Sequence, residues 1–210
     1  MDKNTEILDE LVREALKLGA SDARIITVES IRVEERLAVM CRTPQCDGYG
    51  QSVNCPPYVL KPLGFKELLK RYQYALVFKI DVATQMLLGE DRDIVASRIH
   101  KITSSVEQFA IARGYLNSKG LAAGSCKRIF CSKDAGCSVL DENGVCRFPD
   151  IARPSMSGLG INFFELSQLL GWQINNITKD TDPDKVPMGM MAGMVLIGTI
   201  QNCVHSPGEC

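Results

Sequence analysis

The sequence predicts an α/β or α+β fold: a mixed sheet of four to five strands packed with helices, carrying two cysteine-rich loops. Three observations predict it. Apolar residues recur at helical spacing in several separate stretches. Short β-branched or continuous apolar runs fall between those stretches. Two segments dense in turn residues and cysteine have little periodicity. Helices and strands interleave along the chain, as in layered packing about a sheet. The 210 residues are read as a single domain, 1–210, with cysteine-rich loops at about 41–63 and 124–155.

Each element follows from its residues. Asn4 to Leu18 places Ile7, Leu8, Leu11, Val12, Ala15 and Leu18 on one helical face. Its acids come early, Lys17 comes late, and Gly19 is a C-terminal stop. Ala23 to Val28 is short and β-branched, hence a strand; Ile31 to Met40 alternates in part and is read as a second strand. Pro44, Gly48, Gly50, Pro56, Pro57 and Pro62 forbid regular structure from Cys41 to Leu63. Phe65 to Tyr72 is a short helix, and Tyr74 to Val82 a buried strand. In Asp91 to Tyr115, Val95, Ile99, Ile102, Val106 and Phe109 form the clearest apolar stripe, closed by Gly114 and Gly120. Ile161 to Leu170 returns to helix and Trp172 to Thr178 reads as a strand. Asp180 to Pro187 is a surface loop, and Ala192 to Ile200 a final apolar strand.

Composition excludes several function classes. A formal net charge of -1 is not that of a dedicated nucleic-acid binder. No stretch reaches the length of apolar residues that a membrane span requires. The N-terminus has no basic flank before an apolar run, so no signal peptide is read there and the expected compartment is the cytoplasm. Thiols stay reduced there, and an odd count of nine cysteines also fits a disulfide framework poorly. No phosphate-binding loop, dinucleotide fingerprint or hydrolase elbow is present.

Seven of the nine cysteines fall into two clusters. CRTPQCDGYGQSVNCPPY carries Cys41, Cys46 and Cys55; CKRIFCSKDAGCSVLDENGVCRFP carries Cys126, Cys131, Cys137 and Cys146. Thiolates this close in sequence can wrap a soft metal centre, zinc or an iron–sulfur cluster. The four of the second cluster suffice to close a site. The three of the first would leave one position open, which catalysis needs and a structural site lacks. Zinc hooks favour shorter first spacings and a longer stretch between hooks, and histidine is confined to His100 and His205. The expected cofactor is therefore an iron–sulfur cluster of the [4Fe-4S] type, one or two per chain, with zinc as the alternative.

Neighbouring residues admit two readings each. Arg42, Lys127, Arg128, Arg147 and Arg153 either stabilise an anionic cluster or are surface charges balanced by Asp47, Asp134, Asp141 and Glu142. Tyr49 and Tyr58 are read as packing residues that shield the site rather than as acids. His100 is read as a solvated surface residue on the long helix. Met188, Met190, Met191 and Met194 are read as core filler. Cys203 and Cys210 lie in a tail where either could complete the first site or stay mobile. In ARPSMSGLGI, Ser155 is a candidate helix cap, and Gly158 and Gly160 permit close backbone approach within a turn.

Two longer patterns resemble a known family. The first is Cys46, Tyr49 and Gly50 followed by Cys55-Pro56-Pro57; the second is Cys146-Arg147, Pro149, Ala152 to Met156 and Gly160-Ile161 before a helix. Both resemble signatures of the domain-of-unknown-function family 2284, prokaryotic predicted metal-binding proteins, and the similarity runs from about Ala20 to Gly198. It implies metal binding at the cysteines through an iron–sulfur centre, and no particular reaction. The chain departs in the wider gap between Cys137 and Cys146 and in its cysteine-bearing tail.

The expected function is that of a cytoplasmic iron–sulfur protein engaged in electron transfer or cluster-dependent redox or sulfur chemistry, with a redox or metabolic protein as partner. The alternatives are a zinc-stabilised binding module without catalysis and a thiol or persulfide carrier using Cys203 or Cys210.

Overall fold

The computed structural model describes residues 3–141 and 144–200. In chain order the elements are α1 (Lys3–Lys17), β1 (Asp22–Thr27), α2 (Glu35–Val39), α3 (Pro62–Leu69), β2 (Tyr74–Ala83), α4 (Thr84–Leu88), α5 (Arg92–Ala112), β3 (Tyr115–Leu116), β4 (Lys119–Leu121), α6 (Cys126–Phe130), α7 (Ser138–Asp141), α8 (Phe163–Leu169), β5 (Met188–Ile197) and β6 (Thr199–Ile200). The fold is mixed α/β. Its main sheet has four strands in the order β1-β2-β5-β4, and β3 pairs separately with β6. Every pairing between these strands is antiparallel.

The sheet is buried on both faces, which explains why its central strands read as continuous apolar runs. Successive side chains of a strand point to opposite faces. Leu76, Phe78, Ile80 and Val82 of β2 accordingly join Val195 and Ile197 of β5 under α1 and α5. Ala75 and Val77 join Met194 and Leu196 on the other face, beneath Phe65 of α3 and Leu166 of α8. Register sets one tight contact at the centre. Gly193 stands opposite Phe78, and a Cβ there would lie 2.4 Å from the Phe78 ring.

The helix ends follow local chemistry. At the end of α1, Gly19 takes a φ of 104°. Its amide donates to the Leu16 carbonyl and that of Ala20 to the Ala15 carbonyl, a Schellman closure. Gly171 closes α8 likewise, with its own amide on Gln168 and that of Trp172 on Ser167. The side chain of Asn162 caps the start of α8 by accepting from the Glu165 amide at 3.1 Å. Ser155 lies further upstream, and its hydroxyl accepts from the Gly158 amide at 3.4 Å within a turn.

Three expectations are corrected. Ile31 to Met40 is not a strand: Val33 makes one isolated bridge to Ile161, and helix α2 begins at Glu35. The short Ile31/Val33 alternation satisfies only that bridge, with the Glu34 amide donating to the Gly160 carbonyl. Trp172 to Thr178 is also not a strand. Trp172 is buried as part of the α8 closure and its indole donates to Asp22 at 2.9 Å; beyond it, Asn175 meets the Met188 carbonyl through its side chain. His100 is 0% exposed rather than solvated. Helix α5 is covered on its outer side as well, where Phe130 stacks edge-on to the His100 ring and the Arg153 amide donates to Nδ1.

The methionine run divides. Met194 is wholly buried, Met190 and Met191 pack at the margin of the core, and Met188 is 49% exposed and outside both core clusters.

Candidate metal centre

The first cysteine loop is a series of tight turns. The Cys46 amide donates to the Cys41 carbonyl at 2.9 Å, and the Tyr49 amide to the Cys46 carbonyl at 2.9 Å. Further on, the Tyr58 and Val59 amides both donate to the Cys55 carbonyl. Cys41 is half-buried, Cys46 exposed and Cys55 buried. Burial pushes the Cys41 thiol up to about 11, with Cys46 and Cys55 adding to the rise. Burial likewise raises Cys55, offset in part by the Ser125 and Ser52 hydroxyls and reinforced by Cys126 and Cys46. Neither serine hydroxyl has a hydrogen-bond partner of good geometry, although both are buried. They stand near enough to the Cys55 thiol to favour its charged form.

The second loop positions its cysteines on short helical turns. Cys126 opens α6, and the Cys131 amide closes that helix on the Lys127 carbonyl at 3.0 Å. Cys137 precedes α7 and receives the amides of Leu140 and Asp141 on its carbonyl. The Phe148 amide donates to the Cys146 sulfur at 3.4 Å. Burial raises the Cys131 thiol, as do the Asp134 carboxylate beside it and Cys126. Cys126, Cys131, Cys137 and Cys146 line one recess of about 20 Å³, walled by Asn54 and Phe148.

The two loops touch. The Asn54 side-chain amide donates to the Cys126 sulfur at 3.4 Å. A Cβ on Gly48 would lie 2.8 Å from that of Ser125 and 3.4 Å from the Cys55 sulfur, so only glycine lets the backbone approach this closely. Arg128 ties the loops again, bonding Asp93 at 2.8 Å and reaching Asp47 at 3.5 Å. Electrostatic coupling therefore runs from Cys41 and Cys46 through Cys55 to Cys126 and Cys131. Away from this junction, Cys41 and Cys46 line a separate groove of about 320 Å³ with Met40, Ile161, Phe163 and Phe164.

Of the five basic neighbours, Arg42 is exposed with no ion-pair partner among the described residues, and the other four are engaged by oxygen atoms. Lys127 donates to the Cys131 and Asp134 carbonyls at 2.8 and 2.9 Å. Arg147 stands 3.9 Å from Asp134, and Arg153 bonds Glu107 at 2.5 Å. Tyr58 is 55% exposed, whereas Tyr49 is half-buried. Cys203, His205 and Cys210 lie outside the described residues.

Sequence alone assigns no part in the site to Asn54, Ser52 or Ser125, and reads Gly48 only as a breaker of regular structure. Their signal was small polar and glycine residues directly beside the cysteines, which is common in any turn.

Chemically, the donor set is all thiol. Among the described residues, no three histidines, cysteines, aspartates or glutamates converge closely enough to hold a single metal ion. All seven described cysteines are free of disulfide bonds. No helix among them is long and apolar enough to cross a membrane.

Comparison with known proteins gives one match. Searches of the curated proteins and of the solved structures found none. A family model described as a predicted metal-binding protein matches residues 24–197, nearly the whole sheet and both cysteine loops. The chain therefore belongs to the domain-of-unknown-function family 2284, the predicted metal-binding proteins.

Proposed function

We propose that this chain is an iron–sulfur protein of a reducing, cytoplasmic compartment, and that it works by electron transfer or cluster-dependent redox chemistry with a protein partner. Cys126, Cys131, Cys137 and Cys146 would hold one [4Fe-4S] cluster. Cys41, Cys46 and Cys55 would hold a second with one position open. The observation that carries this reading is the recess lined by all four thiols of the second loop, a donor set of sulfur alone. Sulfur-only donors and unpartnered buried hydroxyls at Ser52 and Ser125 fit an anionic, sulfide-bearing group.

When bound, such a group supplies one-electron transfer, and an open position supplies a Lewis-acid site. The chain's own residues do the rest. The Asn54 side chain and the Phe148 amide direct N–H groups at the Cys126 and Cys146 sulfurs. Phe130 and Phe148, 5.6 Å apart, wall the recess against water. The thiols of Cys41, Cys55 and Cys131 are held protonated, so loading releases protons.

Zinc is the second reading. It is favoured by the size of the recess, whose 20 Å³ suits a water-sized body. Anaerobic purification followed by iron, sulfide and zinc analysis and EPR of the reduced protein separates the two. Iron and sulfide in equal amounts, with Cys126→Ser removing one centre and Cys41→Ser altering the other, is the expected result. Colourless protein with about one zinc per chain and no sulfide after reconstitution would overturn it.

A further inference from the structure

Strand β5 continues past the end of its neighbour. Leu121, the last residue of β4, pairs with Met194, so β5 from Met188 to Gly193 has no strand on that side. The chain leaves β4 through Ala123 and Gly124 and opens a cleft of about 370 Å³ along the unpaired edge. That volume is in the range of small-molecule sites, ~300–1,000 Å³. Leu87, Ile177, Met190 and Met191 give it an apolar floor, and Ser157 and Asn175 add polar groups.

Charge on the lining is one-sided. Arg92, the first residue of α5, and Lys179 both reach the cleft, and no aspartate or glutamate lines it. Neither cation has an ion-pair partner among the described residues, while neighbouring Asp93 is engaged with Arg128. Two free cations over an apolar floor select for an anion with a hydrocarbon body. The cleft also has a significant neighbour: Ser157, Ile161 and Phe163 line both it and the groove of Cys41 and Cys46.

We propose that this cleft binds a small organic anion, a carboxylate or phosphate on an apolar body, with Arg92 and Lys179 meeting the acidic group and the β5 edge lining the apolar part. The site stands independently of what the cysteines hold, and it places its occupant one wall away from the first cysteine loop.

Anilinonaphthalene sulfonate, itself an apolar anion, is the probe, titrated by fluorescence into the full chain. The expected result is saturable one-site binding that Arg92→Glu/Lys179→Glu weakens by about tenfold or more. Octanoate and octyl phosphate should displace the probe and octylamine should not; the better competitor tells carboxylate from phosphate. Both substituted positions are exposed, and Lys179→Ala serves if the double variant fails to fold. Cys126→Ser should leave probe binding intact, so failure of the metal reading and failure of this one are separately visible. Binding that is unsaturable, indifferent to charge reversal or displaced equally by octylamine overturns the assignment.

Discussion

The Asn54 side-chain amide and the Cys126 sulfur lie 3.4 Å apart, although 72 positions of sequence separate them. This bond fastens the first cysteine loop to the opening residue of the second. Hydrogen bonds to charged groups contribute ~1.5–3 kcal/mol. Asn54→Ala should therefore speed loss of the bound metal to a chelator by about tenfold or more, read as release over time. Release at the unsubstituted rate would show that the contact does not support the site.

His100 predicts a pH dependence. Its ring is wholly buried and accepts from the Arg153 amide, and burial depresses it from 6.5 to about 4. Between those values the unfolded chain binds a proton that the folded chain does not, so stability falls as pH is lowered. The loss should reach about 3 kcal/mol near pH 4. His100→Asn, which keeps an acceptor and cannot titrate, should flatten that part of the curve in urea melts taken across the window.

Arg153 joins the segment after Cys146 to helix α5. Its guanidinium bonds Glu107 and the carbonyls of Pro149, Asp150 and Ala152. Both members of the pair are only 12% exposed at the side chain. Arg153→Ala should cost about 2–4 kcal/mol of unfolding free energy, because Glu107 loses its cation. Arg153→Lys should recover a minor part, since an ammonium cannot reproduce the planar fork.

Gly193 faces Phe78 across the central strands, and an added Cβ would also lie 2.7 Å from the Thr103 hydroxyl. Gly193→Ala should lower stability by about 1–3 kcal/mol through overpacking. Adding Phe78→Leu should return part of that loss, and a double-mutant cycle measures the coupling.

Strands β2 and β5 and helix α5 were legible in the sequence because each is long and apolar in a regular pattern. His100 was misread because the stripe argument assigns one wet face to a helix, and Phe130 and the Arg153 backbone cover that face in the fold. The three residues of β4 are too few to show a period. Ile31 and Val33 do alternate, but alternation without a neighbouring strand yields only a bridge. At the centre, spacing picked out the cysteines as two groups. It did not show Asn54 and Gly48 pressed against Ser125 and Cys126, because only tertiary packing brings those positions together.

Neither of the two apolar clusters that sandwich the sheet contains a cysteine. The sheet's apolar packing is therefore built without the thiols, unlike small domains that fold only around a bound metal. Synthesis can finish with the thiols vacant, and filling can wait for a donor.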